Sequence, residues 1–256
     1  MTDEDGCKWL RMSPARSGVM VRLVCFAHAA AGASSFARWL TGAPPQIDIW
    51  RVQLPGREDM HSVPPVDDLR TIVPDLTEAV LAANGGRVPL VLYGHSMGAA
   101  LAHQVALAVG AKDPGLLRGL IVSGRRAPQL PATRRLHHEL TDAELTAVMT
   151  EADPTSELWK RPHWRRHYFD LIRRDSAAVE RIPPQREPGL TIPVVAFHGV
   201  RDGWVSEEEL AAWRGATRGP FVLRRYDGGH FDHHAARDAI TSEAMQLCAC
   251  EEGALT

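Results

Sequence analysis

Pro89-Leu-Val-Leu-Tyr-Gly94-His-Ser96-Met-Gly98-Ala-Ala-Leu-Ala-His-Gln-Val-Ala-Leu-Ala-Val-Gly110 changes its hydrophobic rhythm part-way along. Pro89–Tyr93 is a continuous apolar run of strand length, whereas Met97–Gly110 carries apolar residues at helical spacing. Only Gly94-His95-Ser96 joins them. A strand that turns into a helix so abruptly leaves no room for a side chain at either flank, which accounts for Gly94 and Gly98. Ser96 then stands at the apex, on the C-terminal edge of a sheet. With 21 glycines in 256 residues, G-x-S-x-G arises by chance only ~0.07 times. The pattern alone is moderately specific, and its strand–turn–helix setting adds the rest.

Working outward, the same alternation recurs. Val21–Ala27, Ile47–Leu54, Gly119–Ser123, Pro193–His198 and Phe221–Tyr226 read as further strands. Asp68–Ala83, Glu207–Ala216 and Ala235–Leu247 read as further helices. Several strands are almost wholly apolar, as in a parallel sheet covered on both faces. The expectation is an α/β fold with a mostly parallel, doubly wound sheet joined by right-handed crossovers. Between Pro128 and Pro193 no strand is convincing, and the segment is polar, helix-prone and punctuated by prolines. An insertion of that length carries its own structure more often than it forms a bare loop. We therefore expect a single domain over 1–256 with a helical lid inserted at about 129–188.

Composition narrows the function classes. The formal charge of −2 gives no global basic field to attract nucleic acid or anionic lipid. The 4 cysteines are too sparse for a disulfide scaffold, and the Cys248-x-Cys250 pair lacks a second pair at zinc-site spacing. The N-terminus is acidic and without an apolar signal core, and no apolar stretch reaches membrane-span length. A cytoplasmic protein without a metal or cofactor of its own is expected.

A serine hydroxyl needs a base to become nucleophilic, and the base needs an acid to orient it. On this kind of sheet they follow in the order Ser, acid, His. Asp202, just beyond the strand Pro193–His198, is placed at the same sheet edge as Ser96; Asp170 and Asp175 are rivals that fall in the insertion. His230 follows the last strand behind two glycines that let its loop fold back. Among 12 histidines position decides; His95 and His103 read as packing residues. The clusters His230/Asp232/His233/His234 and His137-His138-Glu139 lack metal-ligand spacing. An oxyanion formed at Ser96 needs two donors. The backbone N–H of Met97 is one, and the loop after the first long strand supplies the other from Ala29 or its neighbour Ala30.

Five stretches carry a resemblance: FAHAAAGASSFARW (Phe26–Trp39), VQLPGRE (Val52–Glu58), YGHSMGA (Tyr93–Ala99), VSGRRAP (Val122–Pro128) and GPFVLRRYDGGHF (Gly219–Phe231). Together they resemble the type II, editing thioesterases that accompany polyketide and nonribosomal peptide synthetases. The resemblance implies an α/β-hydrolase fold with a helical lid. It also implies hydrolysis of acyl thioesters on the phosphopantetheine arm of acyl or peptidyl carrier proteins. It places the triad on Ser96, Asp202 and His230 and the oxyanion donors on Met97 and Ala29. The family usually has glycines where this chain has Ala30 and Ala31.

Within the insertion, Lys160, Arg161, Arg165, Arg166, Arg173 and Arg174 face only Asp170 locally, a candidate docking surface for an acidic carrier protein. Trp159, Trp164, Tyr168 and Phe169 read as packing the lid on the core, and Arg125 and Arg126 as possible contacts for a pantetheine phosphate. The competing functions are a carboxylesterase or lipase-like hydrolase of small esters and a catalytically idle binding protein on the same fold.

Overall fold

Residues 90–95 are buried without exception, so the strand they form needs a helical layer on each side. The computed structural model describes residues 8–249 apart from 15, 86, 133–136, 154–155, 160 and 186. The strands are β1 (Leu10–Arg11), β2 (Val21–Phe26), β3 (Ile47–Val52), β4 (Leu90–His95), β5 (Leu117–Ser123), β6 (Val194–Gly199) and β7 (Phe221–Tyr226). The helices are α1 (Val73–Asn84), α2 (Met97–Lys112), α3 (Asp142–Ala152), α4 (Pro162–Glu180), α5 (Glu207–Ala211) and α6 (Arg237–Ala249), with short 3-10 turns between elements. They make one seven-stranded sheet of order β1-β3-β2-β4-β5-β6-β7. Every neighbouring pair is parallel except β1 with β3.

Alternation along β4 sorts the core. Leu90 and Leu92 join α1 and α2 in one apolar cluster, while Val91 and Tyr93 join α6 on the other face. Each such side chain, fully buried, contributes roughly 1.5–3 kcal/mol. The strand order reverses its direction of winding between β2 and β4, and the crevice outside the carboxyl ends of those strands is where such sheets bind ligands.

All six expected strands form, within a few residues of the expected ends. β1, two residues long, has no periodicity to betray it. The expected helix at Asp68–Ala83 divides, with a 3-10 turn at Leu69–Ile72 and α1 beginning at Val73. Pro74 lies in the first turn of α1, where its missing N–H costs nothing. The two later helices divide likewise, with 3-10 turns at Ala212–Ala216 and His230–Ala236. Between Ser123 and Val194 the described residues contain helices α3 and α4 and no strand, only an isolated bridge from Leu190 to Thr217. A capping box of Thr141 and Glu144 starts α3, and Pro162 starts α4. A third apolar cluster, including Leu145, Met149, Trp159, Phe169 and Ile172, packs these helices down onto Ala30. No described helix is long and apolar enough to cross a membrane.

Candidate active site

The turn between β4 and α2 is held by backbone-to-backbone proximity. A Cβ on Gly94 would lie 2.3 Å from the carbonyl oxygen of Gly98, and one on Gly98 would lie 2.1 Å from that of Phe26. Neither clash can be relieved by rotating a side chain. Ser96 itself takes φ 54° and ψ −119°, a conformation that costs a non-glycine residue about 1–3 kcal/mol. Its N–H donates to the carbonyl of Ser123 on the neighbouring strand at 2.9 Å. Ser96 and Met97, the first residue of α2, both line the crevice at this edge of the sheet.

The structure brings Ser96, Asp202 and His230 together from three loops. His230 Nε2 lies 3.2 Å from Ser96 Oγ, and His230 Nδ1 lies 2.9 Å from Asp202 Oδ2. An ionised Asp202 can only accept, so Nδ1 carries the imidazole proton and Nε2 is left to accept from the serine hydroxyl. Burial works against the charge on Asp202. The hydrogen bond and charge of His230 and the N–H groups of Trp204 and Val205 outweigh it and hold the carboxyl below its usual range. The Trp204 ring lies over His230, with ring centres 4.4 Å apart, and screens the pair from water.

The loop after β2 forms a β-turn. Ala31 N–H donates to the His28 carbonyl at 3.1 Å, and Ala30 adopts φ 62°. Ala30 N–H donates to Asp175 Oδ2 at 2.7 Å. Of the two alanines weighed as oxyanion donors, Ala30 therefore has its N–H directed at a carboxylate. Ala29 lines a cavity of about 370 Å³ together with Ser96, Met97, Trp204 and His230.

Other residues fall elsewhere than expected. Asp175 is no rival acid, because it is buried against the Arg57 guanidinium with contacts of 2.6 and 2.8 Å. Asp170 is exposed on α4. Arg125 and Arg126 line the cavity but bind Glu180, at 2.9 and 2.6 Å. In the basic stretch, Arg173 pairs with Asp142 and Arg174 with Asp67, while Lys160 lies outside the described residues. Trp159 and Phe169 stack within the third cluster, which packs the insertion onto Ala30, but Trp164 is 52% exposed, since its position on α4 faces away from that cluster. Cys248 is partly buried, with its thiol pushed up to about 11 by burial; Cys250 lies outside the described residues.

The histidines that gather are His28, His95 and His233, whose nitrogens lie within 4.8 Å of one another. The rings of His95 and His233 stack 4.0 Å apart at 18°, so their in-plane lone pairs do not converge as ligands of one ion must. Burial pushes His28 down to about 3 and lowers His95 and His233 as well, leaving neutral imidazoles packed beneath the triad. Three contributors to the site escaped the sequence reading. Gly124 (φ 59°) has no room for a Cβ, which would sit 2.5 Å from the His95 ring; VSGRRAP contains it without revealing why. Trp204 has no motif, and the Arg57–Asp175 pair joins positions 118 residues apart.

The family model for thioesterase domains matches residues 21–247. The chain belongs to that family. Thioesterase PikA5 of Streptomyces venezuelae is 36% identical over 241 residues, which cover 90% of this chain and 83% of PikA5. The type II thioesterase BorB from the borrelidin biosynthetic cluster superposes with a TM-score of 0.81 at 33% identity, covering 94% of this chain and 97% of BorB. RedJ, a thioesterase from the prodiginine pathway of Streptomyces coelicolor, gives 0.79 at 29% identity over 93% and 91%. The thioesterase thus has the α/β-hydrolase fold and hydrolyses thioesters, and its kin are type II enzymes, as the five stretches implied.

Proposed function

We propose that this thioesterase removes stalled or aberrant acyl groups from the phosphopantetheine arm of acyl or peptidyl carrier proteins in polyketide or nonribosomal peptide assembly. The observation that carries the mechanism is the relay from Asp202 through His230 to Ser96, opening on the cavity. His230 takes the proton of Ser96 as Oγ bonds to the thioester carbonyl carbon. The carbonyl π electrons move to oxygen, which the N–H groups of Met97 and Ala29 stabilise; the engagement of Ala30 N–H with Asp175 favours Ala29 for this role. Such a donor typically contributes ~3 kcal/mol to the transition state. The tetrahedral species collapses, the C–S bond breaks, and the pantetheine sulfur leaves with the proton from His230. Water then attacks the acyl-serine, gives its proton to His230, and the free acid departs as Ser96 recovers its hydrogen. Asp202 holds the imidazole tautomer throughout and stabilises the imidazolium. On this reading the enzyme needs no cofactor of its own, because pantetheine arrives on the partner.

Mass spectrometry of an acylated carrier protein tests this reading. Wild type removes the acyl mass, and Ser96→Ala slows removal by about 10⁶-fold. Fast cleavage of small oxygen esters with carrier-bound thioesters untouched would replace the reading by that of a general esterase. Equal rates for wild type and Ser96→Ala would remove Ser96 as nucleophile.

A further inference from the structure

Asp175 sits on α4, yet it binds two loops far from it in sequence that frame the crevice. Its Oδ2 accepts from the backbone N–H of Ala30 at 2.7 Å and from Arg57 Nη1 at 2.6 Å, and its Oδ1 accepts from Arg57 Nη2 at 2.8 Å. Arg57 in turn donates through Nε to the Pro55 carbonyl at 3.1 Å and through Nη1 to the Ala31 carbonyl at 3.4 Å. One carboxylate and one guanidinium thereby clamp the loop after β2, the loop after β3 and the inserted helix together. The pair is sealed, with 4% of the arginine side chain and 1% of the aspartate exposed.

The clamp closes on the least comfortable residue of the loop. Ala30 takes φ 62°, where an L side chain persists only when its surroundings fix it. The carboxylate fixes it by holding the Ala30 N–H, and the third apolar cluster seats its methyl group among residues of the insertion. Ala29, whose N–H serves the oxyanion in the mechanism above, is the preceding residue in the same turn. A shift of its N–H by about 1 Å suffices to lose on the order of 10²-fold in rate.

We infer that Asp175 is a positioning residue for oxyanion stabilisation, acting through Arg57 and Ala30 to set the Ala29 N–H from across the insertion. The inference rests on the acyl-transfer reading and deepens it. A seated inserted helix becomes a condition for transition-state stabilisation as well as a wall of the site.

The test compares kcat and KM on an acyl-pantetheine thioester and on a p-nitrophenyl ester of the same acid, since both reactions form an oxyanion at Ser96. Asp175→Asn keeps the size of the side chain but removes its charge. Its kcat falls 10- to 100-fold on both substrates with KM within about 2-fold of wild type. Affinity for a pantetheine trifluoromethyl ketone, which forms a tetrahedral adduct, falls in parallel, while affinity for the corresponding pantetheine amide is unchanged. Because Asp175→Asn leaves Arg57 buried without its counter-charge, Arg57→Met with Asp175→Leu serves as the second variant. Replacing both charges restores unfolding stability, yet kcat stays low because no acceptor meets Ala30 N–H. Recovery of kcat along with stability in the double variant would reduce Asp175 to a structural role, as would a folded Asp175→Asn enzyme with wild-type kcat. Equal activity of Ser96→Ala and wild type would instead overturn the acyl-transfer reading itself, a distinguishable result.

Discussion

Two backbone segments line the crevice, and they are held in different ways. The elbow at Gly94–Gly98 is stiffened mostly by its own chain, since a Cβ on Gly94 would strike the backbone of Gly98 and Ala99 and its serine is bent between a strand and a helix adjacent in sequence, while Gly98 adds a close approach to the backbone of Phe26 at the end of β2. The turn at His28–Ala31 is held from outside, by a carboxylate on α4 and an arginine beyond β3. Local constraint leaves a mark in sequence spacing. Constraint from across the molecule does not.

The sharpest way to break the comparison is Gly98→Ala. The new methyl would meet the Phe26 carbonyl oxygen, and the only escape is to part α2 from β2. A loss of about 3–5 kcal/mol in urea unfolding is expected, at the severe end for a point change. A loss below about 1 kcal/mol would mean that the elbow is not clamped by backbone contact.

That difference also explains what could be read in advance. Six of the seven strands follow from apolar runs, and the Ser, Asp, His order follows from three short motifs, each tied to the end of a strand. From sequence Asp175 reads only as a rival acid, because neither its 118-residue separation from Arg57 nor its 145-residue separation from Ala30 leaves any periodic trace. Arg57 lies within VQLPGRE, yet the motif says nothing of what the guanidinium meets. Trp164 reads as a packing residue because composition cannot tell which face of a helix an insertion presents. The exact helix starts were hidden by 3-10 turns, whose three-residue repeat resembles helical spacing over one turn.

The junction between the two segments gives a milder test. His28 of the turn meets His95 of the elbow edge-on at 5.7 Å, and burial keeps both neutral. His28 is lowered from 6.5 to about 3, so the unfolded chain binds a proton that the folded chain refuses. Stability is therefore full above about pH 6.5 and is lost as pH falls from there towards the folded value, at about 1.4 kcal/mol per pH unit for each such group. Urea titrations at about pH 7.5 and 5.5 should show this slope above the range where carboxylates titrate. His28→Phe should reduce it by one proton's worth; an unchanged slope would mean that His28 is free to charge in the folded protein.

The smallest effect sharpens the comparison most. Ala30 occupies φ 62° at the third position of its turn, a place where glycine is the default. Relief of the left-handed strain in Ala30→Gly gains about 1–2 kcal/mol, the freer unfolded chain takes back about 0.4–1 kcal/mol, and loss of the buried methyl group takes back about 0.8 kcal/mol. A stability within about 0.5 kcal/mol of wild type is expected by chemical unfolding, whereas Ala82→Gly on the exposed side of α1 loses about 1 kcal/mol. Because the Asp175 carboxylate binds the N–H and not the methyl group, Ala30→Gly should also keep wild-type kcat. A glycine variant that stays folded with near wild-type stability but turns over much more slowly would show that the methyl group, seated in the third cluster, sets the turn, and the external clamp would lose its claim.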